Sequence, residues 1–245
     1  MTASDSTAAT LRPLRLLIVG HGRMGRLVES LAPSQGMTVA ACLDEFNNVD
    51  GSGITADLCR GVDVAIDFSI AEAVPVNLPG LAAHKVNLVV GTTGWQAAAE
   101  TKMRRIAQDA GIGVVAAANF SLGVNLFQMI VEQAARLFAP HDGFGAWIHE
   151  AHHAAKKDAP SGTALVLERA LRDEGYTRPI DMSSTRAGSI PGTHTVGFDS
   201  AFETVTLTHT ARDRATFAVG ALAAARWVVG RRGWYSMRDV LNPQP

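Results

Sequence analysis

The sequence predicts an α/β fold in two parts: a parallel sheet covered by helices on both faces, then an α+β unit built on a mixed sheet. Three observations predict it. Short apolar runs alternate with helical periodicity through the first half of the chain, as for strands buried on both sides by crossover helices. The glycine-rich turn Gly20-His21-Gly22-Arg23-Met24-Gly25 joins the first apolar run to the first helix. After Asn119 the alternation stops, and strand-like runs follow one another without helices between them.

Taken in order, residues 14–19 form an apolar run that ends at Gly20, and residues 23–31 have helical spacing. Residues 38–43 read as a second strand ending at Asp44, and residues 62–68 as a third. A helix over 71–84 follows, made irregular by Pro75 and Pro79. Residues 86–90 are a fourth strand, closed by Gly91-Thr92-Thr93-Gly94. A helix over 96–110 leads to a fifth strand over 113–118. In the second part, helix 122–139 precedes a strand through Trp147 and Ile148, and another helix starts near Gly162. Strands follow over 193–198 and 203–210, while 214–224 fits strand and helix equally. The expected division is 1–118 with 221–245 as one domain and 119–220 as the other, with 1–12 a disordered tail.

The 245 residues allow one large domain or two modest ones. The net charge of −1 provides no field to attract nucleic acid or an anionic membrane, so neither is expected as a partner. Cys42 and Cys59 make no disulfide framework and read as reduced thiols. Residues 1–12 lack the basic start and apolar stretch of a signal peptide. No apolar run approaches the ~18 residues of a membrane span. A soluble, cytoplasmic protein is expected.

The glycine turn matches G-x-G-x-x-G in its proper context, between a buried strand and a helix. This makes the first part a Rossmann-type dinucleotide-binding domain. Gly20 permits the tight turn, Gly22 lets the backbone approach a pyrophosphate, and Gly25 lets helix and strand pack closely. The helix N-terminus then offers free N–H groups to the phosphates. Asp44 ends the second strand where an acid would bind the adenosine ribose, and Glu45 follows it. Two carboxylates with no adjoining Arg repel a 2′-phosphate. NADH is therefore expected as the preferred cofactor, with NADPH second. Flavin and S-adenosylmethionine proteins use such loops too, so the motif alone does not name the cofactor.

His149-Glu150-Ala151-His152-His153 fits the zinc-protease pattern H-E-x-x-H. That pattern binds zinc only on a helix, where its histidines share a face. The apolar lead-in 145–148 reads as strand, and a continued strand would separate His149 from His153 by ~13 Å. No metal is expected there. The longer segment from Glu150 to Ala164 is richer: His152, His153, Lys156 and Lys157 form a local cationic cluster, and Ser161 caps a helix that begins with Gly162 and Thr163. A helix N-terminus beside His and Lys suits a carboxylate.

That segment, E-x-H-H-x-x-K-x-D-A-P-S-G-T-A, resembles the signature of the dihydrodipicolinate reductase family. Further matching stretches include Asp67-Phe68-Ser69, Gly91-Thr92-Thr93-Gly94, the run from Ala118 to Asn125, Arg186-Ala187-Gly188, Gly192-Thr193-His194-Thr195 and the run from Phe217 to Ala221. The resemblance implies NAD(P)H-dependent reduction of 4-hydroxy-tetrahydrodipicolinate, a small dicarboxylate, in the diaminopimelate route to lysine. It implies His152 as the catalytic histidine and Lys156 as proton donor. It implies His153, Ser161, Gly162 and Thr163 as holders of the substrate carboxylates. Besides Gly20 to Gly25 and Asp44, it adds Phe68, Gly91, Thr92, Thr93, Ala117, Ala118, Asn119 and Phe120 as cofactor contacts. It also implies a homotetramer formed by pairing of the second domain's sheets. Some residues depart from the family's usual pattern: Trp147 for Glu, Ala154 and Ala155 for basic residues, Thr210 for Lys, and a glycine loop one residue shorter. Competing readings are a nicotinamide oxidoreductase of another imino or keto diacid, a non-catalytic NAD-sensing module, and the zinc hydrolase.

Overall fold

The computed structural model describes residues 12–242. The chain order opens with β1 (Leu14–Val19), α1 (Arg23–Leu31), β2 (Met37–Leu43), α2 (Ala56–Cys59), β3 (Val64–Asp67), α3 (Val74–Ala83), β4 (Asn87–Val90), α4 (Gln96–Ala110) and β5 (Gly113–Ala116). It continues with α5 (Leu122–Phe138), β6 (Gly145–His152), α6 (Gly162–Asp173), β7 (Ile180–Arg186), β8 (Thr193–Asp199), β9 (Thr204–Thr210), α7 (Ala215–Val228), β10 (Gly233–Tyr235) and α8 (Met237–Leu241). Two compact units result. One runs to Ala118 and takes back Ala221–Ser236; the other holds Asn119–Gly220 and the segment from Met237.

The first unit is a six-stranded sheet in the order β10-β5-β4-β3-β1-β2. Every pairing in it is parallel. The four residues of β3 and the last four of β1 are buried, which is why they read as unbroken apolar runs. One core layer joins Leu17, Val19, Ala65, Leu88, Val90 and Val114 of the strands to Leu78 and Leu81 of α3 and Met103 of α4. The strand order reverses direction between β1 and β3, and such a reversal opens a crevice at the carboxyl ends of the strands. A chain with a further strand outside β2 would cover that edge; here the short α2 makes the crossover and β2 stays at the edge.

The second unit is a mixed sheet in the order β7-β6-β8-β9. β6 and β7 are parallel, and the other two pairings are antiparallel. Residues of β6 alternate in burial, so Ala146, Ile148, Glu150 and His152 lie on the buried face. Ala146 and Ile148 enter a core with Phe127 and Val131 of α5, Leu167 and Leu171 of α6, Tyr176, and Val196 and Phe198 of β8. Glu150 and His152 continue that face at the strand's carboxyl end.

Several expectations need correction. Residues 214–224 are helical, within α7. β7 and β10 were not expected. β7 alternates polar residues at a sheet edge, and β10 has only three residues. Residues 237–241, expected with the first domain, form α8 and pack on α5 of the second unit. Of the expected tail, residues 1–11 lie outside the described range. Arg12 is held, its guanidinium on the Asp63 carboxylate at 2.6 and 2.8 Å.

Candidate active site

Along the first unit's sheet, backbone hydrogen bonds stitch the strand ends into one rim. Gly20 N donates to Leu43 O at 2.8 Å and Phe68 N to Val19 O at 2.8 Å. Gly91 N donates to Asp67 O at 2.9 Å and Ala117 N to Val90 O at 3.2 Å. Gly20 has φ +89°, and a Cβ on it would meet the Phe68 carbonyl at 2.5 Å. A Cβ on Gly25 would meet Gly20 O at 2.1 Å, so α1 packs on β1 only through glycine. Gly22, the N-cap of α1, has nothing within 4 Å of its Cβ position. Its side is open for a phosphate to approach the uncapped helix start.

Beside the loop, a cavity of about 490 Å³ is lined by Gly20, Asp44, Glu45, Val49, Ile70 and Val76, among others. Asp44 Oδ1 accepts from Phe46 N and Asn47 N at 2.9 and 3.1 Å, which fixes its carboxylate at the rim. The buried Asp67 accepts from Ser69 Oγ at 2.6 Å and Thr92 Oγ1 at 3.0 Å, tying the turns after β3 and β4 together. A Cβ on Gly91 would collide with the Phe68 ring at 2.0 Å, so these two residues require each other. Gly20 to Gly25, Asp44, Phe68, Gly91 to Thr93, Ala117 and Ala118 thus all belong to the first unit. Asn119 and Phe120 fall in the second. There Asn119 Oδ1 accepts from Ser121 N at 2.9 Å, and Phe120 is buried.

The second unit's chemistry centres on Glu150. Strand register sets it opposite His194 of β8 and sets His152 opposite Arg186 of β7. The Glu150 carboxylate is fully buried, yet Arg186 donates to both its oxygens, at 2.9 and 2.6 Å. Ser161 N donates to Oε1 at 3.2 Å, and His152 Nδ1 hydrogen-bonds Oε2. Burial pushes the carboxyl up, but hydrogen bonds from Arg186, Ser184 and His152 more than offset this and hold it at about 2. Glu150 is therefore an anion, and His152 Nδ1 donates its proton to it. The second ring nitrogen of His152, Nε2, lies beside Gly192, where an added Cβ would come within 3.1 Å of it. Burial lowers the His152 pKa first, and Glu150 partly restores it. His194, packed edge-on against His152 at 5.1 Å, is pushed down to about 4 chiefly by burial and is neutral.

Ser161 caps α6: its hydroxyl accepts from Ala164 N at 3.2 Å and hydrogen-bonds His194 Nε2 at 3.0 Å. The amides of Gly162 and Thr163 lie in the first turn, where no intrahelical acceptor exists. A Cβ on Gly162 would meet nothing within 4 Å. Lys156 Nζ contacts both oxygens of Asp158 at 2.8 Å, and Arg186 Nη2 donates to Asp158 O at 2.6 Å. Lys156 N donates to His153 O at 3.1 Å. His152, His153, Lys156, Ser161, Gly162 and Thr163 are thus carried by one strand end, one turn and one helix start. His149, by contrast, lies on the opposite face of β6 and bonds Ser183 at 2.9 Å, so the H-E-x-x-H segment is strand and not a zinc helix. Reading the sequence alone gave no role to Glu150, Arg186, Gly192 or His194. Their residues stood in the matching stretches, but only strand register makes them partners.

The family model described as dihydrodipicolinate reductase, N-terminus, matches residues 14–120, and that described as its C-terminus matches residues 123–241. The chain belongs to the dihydrodipicolinate reductase family. A relative named 4-hydroxy-tetrahydrodipicolinate reductase, from Laribacter hongkongensis, is 38% identical over 94% of this chain and 98% of its own. One of the same name from Neisseria gonorrhoeae is 37% identical with the same coverage. Among solved structures, a dipicolinate-bound dihydrodipicolinate reductase from Paenisporosarcina sp. TG-14 shares the fold with TM-score 0.77 at 21% identity, covering 91% of this chain and 97% of that one. An amine dehydrogenase from Mycobacterium smegmatis shares it more distantly, with TM-score 0.58 at 13% identity, covering 95% and 97%. Membership of this reductase family implies NAD(P)H use, and the glycine loop fits a dinucleotide: the clearance at Gly22 and the adjoining cavity are what a pyrophosphate and an adenosine need. Among the described residues, no helix is long and apolar enough to cross a membrane.

Proposed function

We propose that this chain reduces 4-hydroxy-tetrahydrodipicolinate to tetrahydrodipicolinate with NAD(P)H, in the diaminopimelate route to lysine. The observation that carries the mechanism is His152, oriented by the buried Glu150, on the unit that also holds Lys156 and the open start of α6. When bound, the nicotinamide supplies the hydride. In this reading the amides of Gly162 and Thr163, with His153, hold the substrate carboxylates. Ser161 contributes by capping α6, since its hydroxyl is buried and already engaged. Lys156 donates the proton that quenches charge on the reduced ring. Burial holds the His152 imidazole below its ordinary pKa, which favours the neutral form, and it presents Nε2 to the same substrate ring.

The first unit is the dinucleotide-binding domain of this proposal, with Gly20 to Gly25 at the pyrophosphate and Asp44 at the ribose. Phe68, Gly91 to Thr93 and 117–120 serve the nicotinamide side. Asp44 and Glu45 favour NADH over NADPH. The chain assembles as a cytoplasmic homotetramer through the second unit's sheet. No nucleic acid or membrane partner enters the reading.

The test is NADH consumption with substrate generated by a coupled synthase. Turnover supports the reductase, and NADH binding without turnover would replace it with a sensor. Asp44→Ala is expected to weaken NADH binding more than NADPH binding by calorimetry; equal losses would remove Asp44 from the ribose. Light scattering should give four times the 25.9 kDa chain mass, and a monomer would refute the assembly.

A further inference from the structure

The dinucleotide loop and its neighbours carry a donor set whose side chains have no part in the proposed hydride or proton transfer. His21, the second residue of the loop, folds back onto Glu29, two turns along α1, with Nε2 to Oε2 at 2.6 Å. The Cys42 thiol, on β2, hydrogen-bonds the same carboxylate. One ligand atom from each residue lies within 4.8 Å of the other two. Three separate elements therefore converge one nitrogen, one sulfur and one oxygen on a single point.

We propose that His21, Glu29 and Cys42 form a binding site for a thiophilic divalent cation of the Zn²⁺ class, with solvent in the fourth position. The donor chemistry selects the ion. Imidazole and thiolate favour Zn²⁺, whereas Mg²⁺ and Ca²⁺ require oxygen shells that this cluster does not supply. Bonds of about 2.0 Å to nitrogen and oxygen and about 2.3 Å to sulfur place these tetrahedral ligands roughly 3.3–3.5 Å apart. The His21–Glu29 pair, now at 2.6 Å, would open by about 0.7 Å to admit the ion, and every ligand-atom pair already lies within 4.8 Å. The cation would replace the two hydrogen bonds now converging on Glu29. The residues differ from the H-E-x-x-H segment, which lies in the other unit. The ion would tether the loop residue His21 to α1 and β2, at the place where the pyrophosphate is proposed to bind. The site depends only on its three ligands, and it stands whatever the substrate.

The experiment is titration of the full-length, metal-stripped chain with Zn²⁺, followed by Co²⁺ as the spectroscopic probe. One equivalent of Zn²⁺ should bind, and Mg²⁺ should not compete. Co²⁺ should give a sulfur-to-cobalt charge-transfer band in the near ultraviolet. Cys42→Ser should abolish that band, Glu29→Gln should weaken Zn²⁺ at least tenfold, and Cys59→Ser should change neither. The proposal is overturned if wild type gives no band, if the band survives Cys42→Ser, or if Mg²⁺ displaces Zn²⁺. Circular dichroism of Cys42→Ser guards against misfolding. If that variant unfolds, Glu29→Gln decides, and unchanged Zn²⁺ affinity there overturns the site.

Discussion

Glu150 has no exposed surface, yet it is charged and receives hydrogen bonds from Arg186, Ser161 and His152. A buried carboxylate of this kind is stable only while every partner stays in place. It sets the tautomer of His152, so it acts through that residue and not on substrate. His152→Gln should lower kcat by roughly 10²–10⁴ with NADH affinity nearly intact, as for loss of an acid–base group; wild-type kcat in a Michaelis–Menten series would take His152 out of the reaction. Glu150→Gln should leave His152 with burial and two cationic neighbours and no compensating anion. Its pKa should then fall further in an NMR-monitored titration. An unchanged His152 pKa would show that the carboxylate only fills space. None of this was legible from residues 150–153 read in isolation. The pairs Glu150–Arg186 and Ser161–His194 lie 36 and 33 positions apart, and sequence separation of that size hides a contact until two strands and a helix are aligned.

Elements differ in how openly the sequence declares them. α4 runs over Gln96–Ala110, as its periodicity alone predicts, and β1 as its apolar run predicts. β7 was hidden because its residues are mostly exposed and polar, which reads as loop. α3 starts later than predicted, at Val74, with Pro75 inside the first turn, where a missing N–H is tolerated. The glycine loop was legible in full, and its three glycines make separable demands. Gly25→Ala places a methyl 2.1 Å from Gly20 O, so it should both lower Tm and weaken NADH binding. Gly22→Ala meets no protein atom and keeps an ordinary φ of −79°. It should leave Tm nearly unchanged while still weakening NADH by obstructing the phosphate. Calorimetry and thermal melts of the two variants check this, and unaltered NADH affinity in Gly22→Ala would deny the loop its ligand.

At the scale of the molecule, buried ionisable groups set acid tolerance. His194 has a folded pKa of about 4 against an ordinary 6.5. Its stabilising contribution is complete above 6.5 and is lost as pH falls toward 4, because the unfolded chain takes up the proton first; the loss amounts to about 3 kcal/mol. Glu150 acts lower down: its contribution is complete above its ordinary 4.5 and disappears as pH falls through about 2. Urea unfolding from pH 7.5 to 4.5 should therefore show a decline that His194→Gln flattens, and an identical slope in that variant would contradict the assignment. The placement of β10 has a temporal consequence. It pairs with β5 although more than one hundred residues separate Ala116 from Gly233. At about 5–20 residues per second on the ribosome, β5 waits roughly 6–24 s for its neighbour. For that interval the nascent chain exposes an unprotected strand rim, and chaperone capture during synthesis should concentrate there.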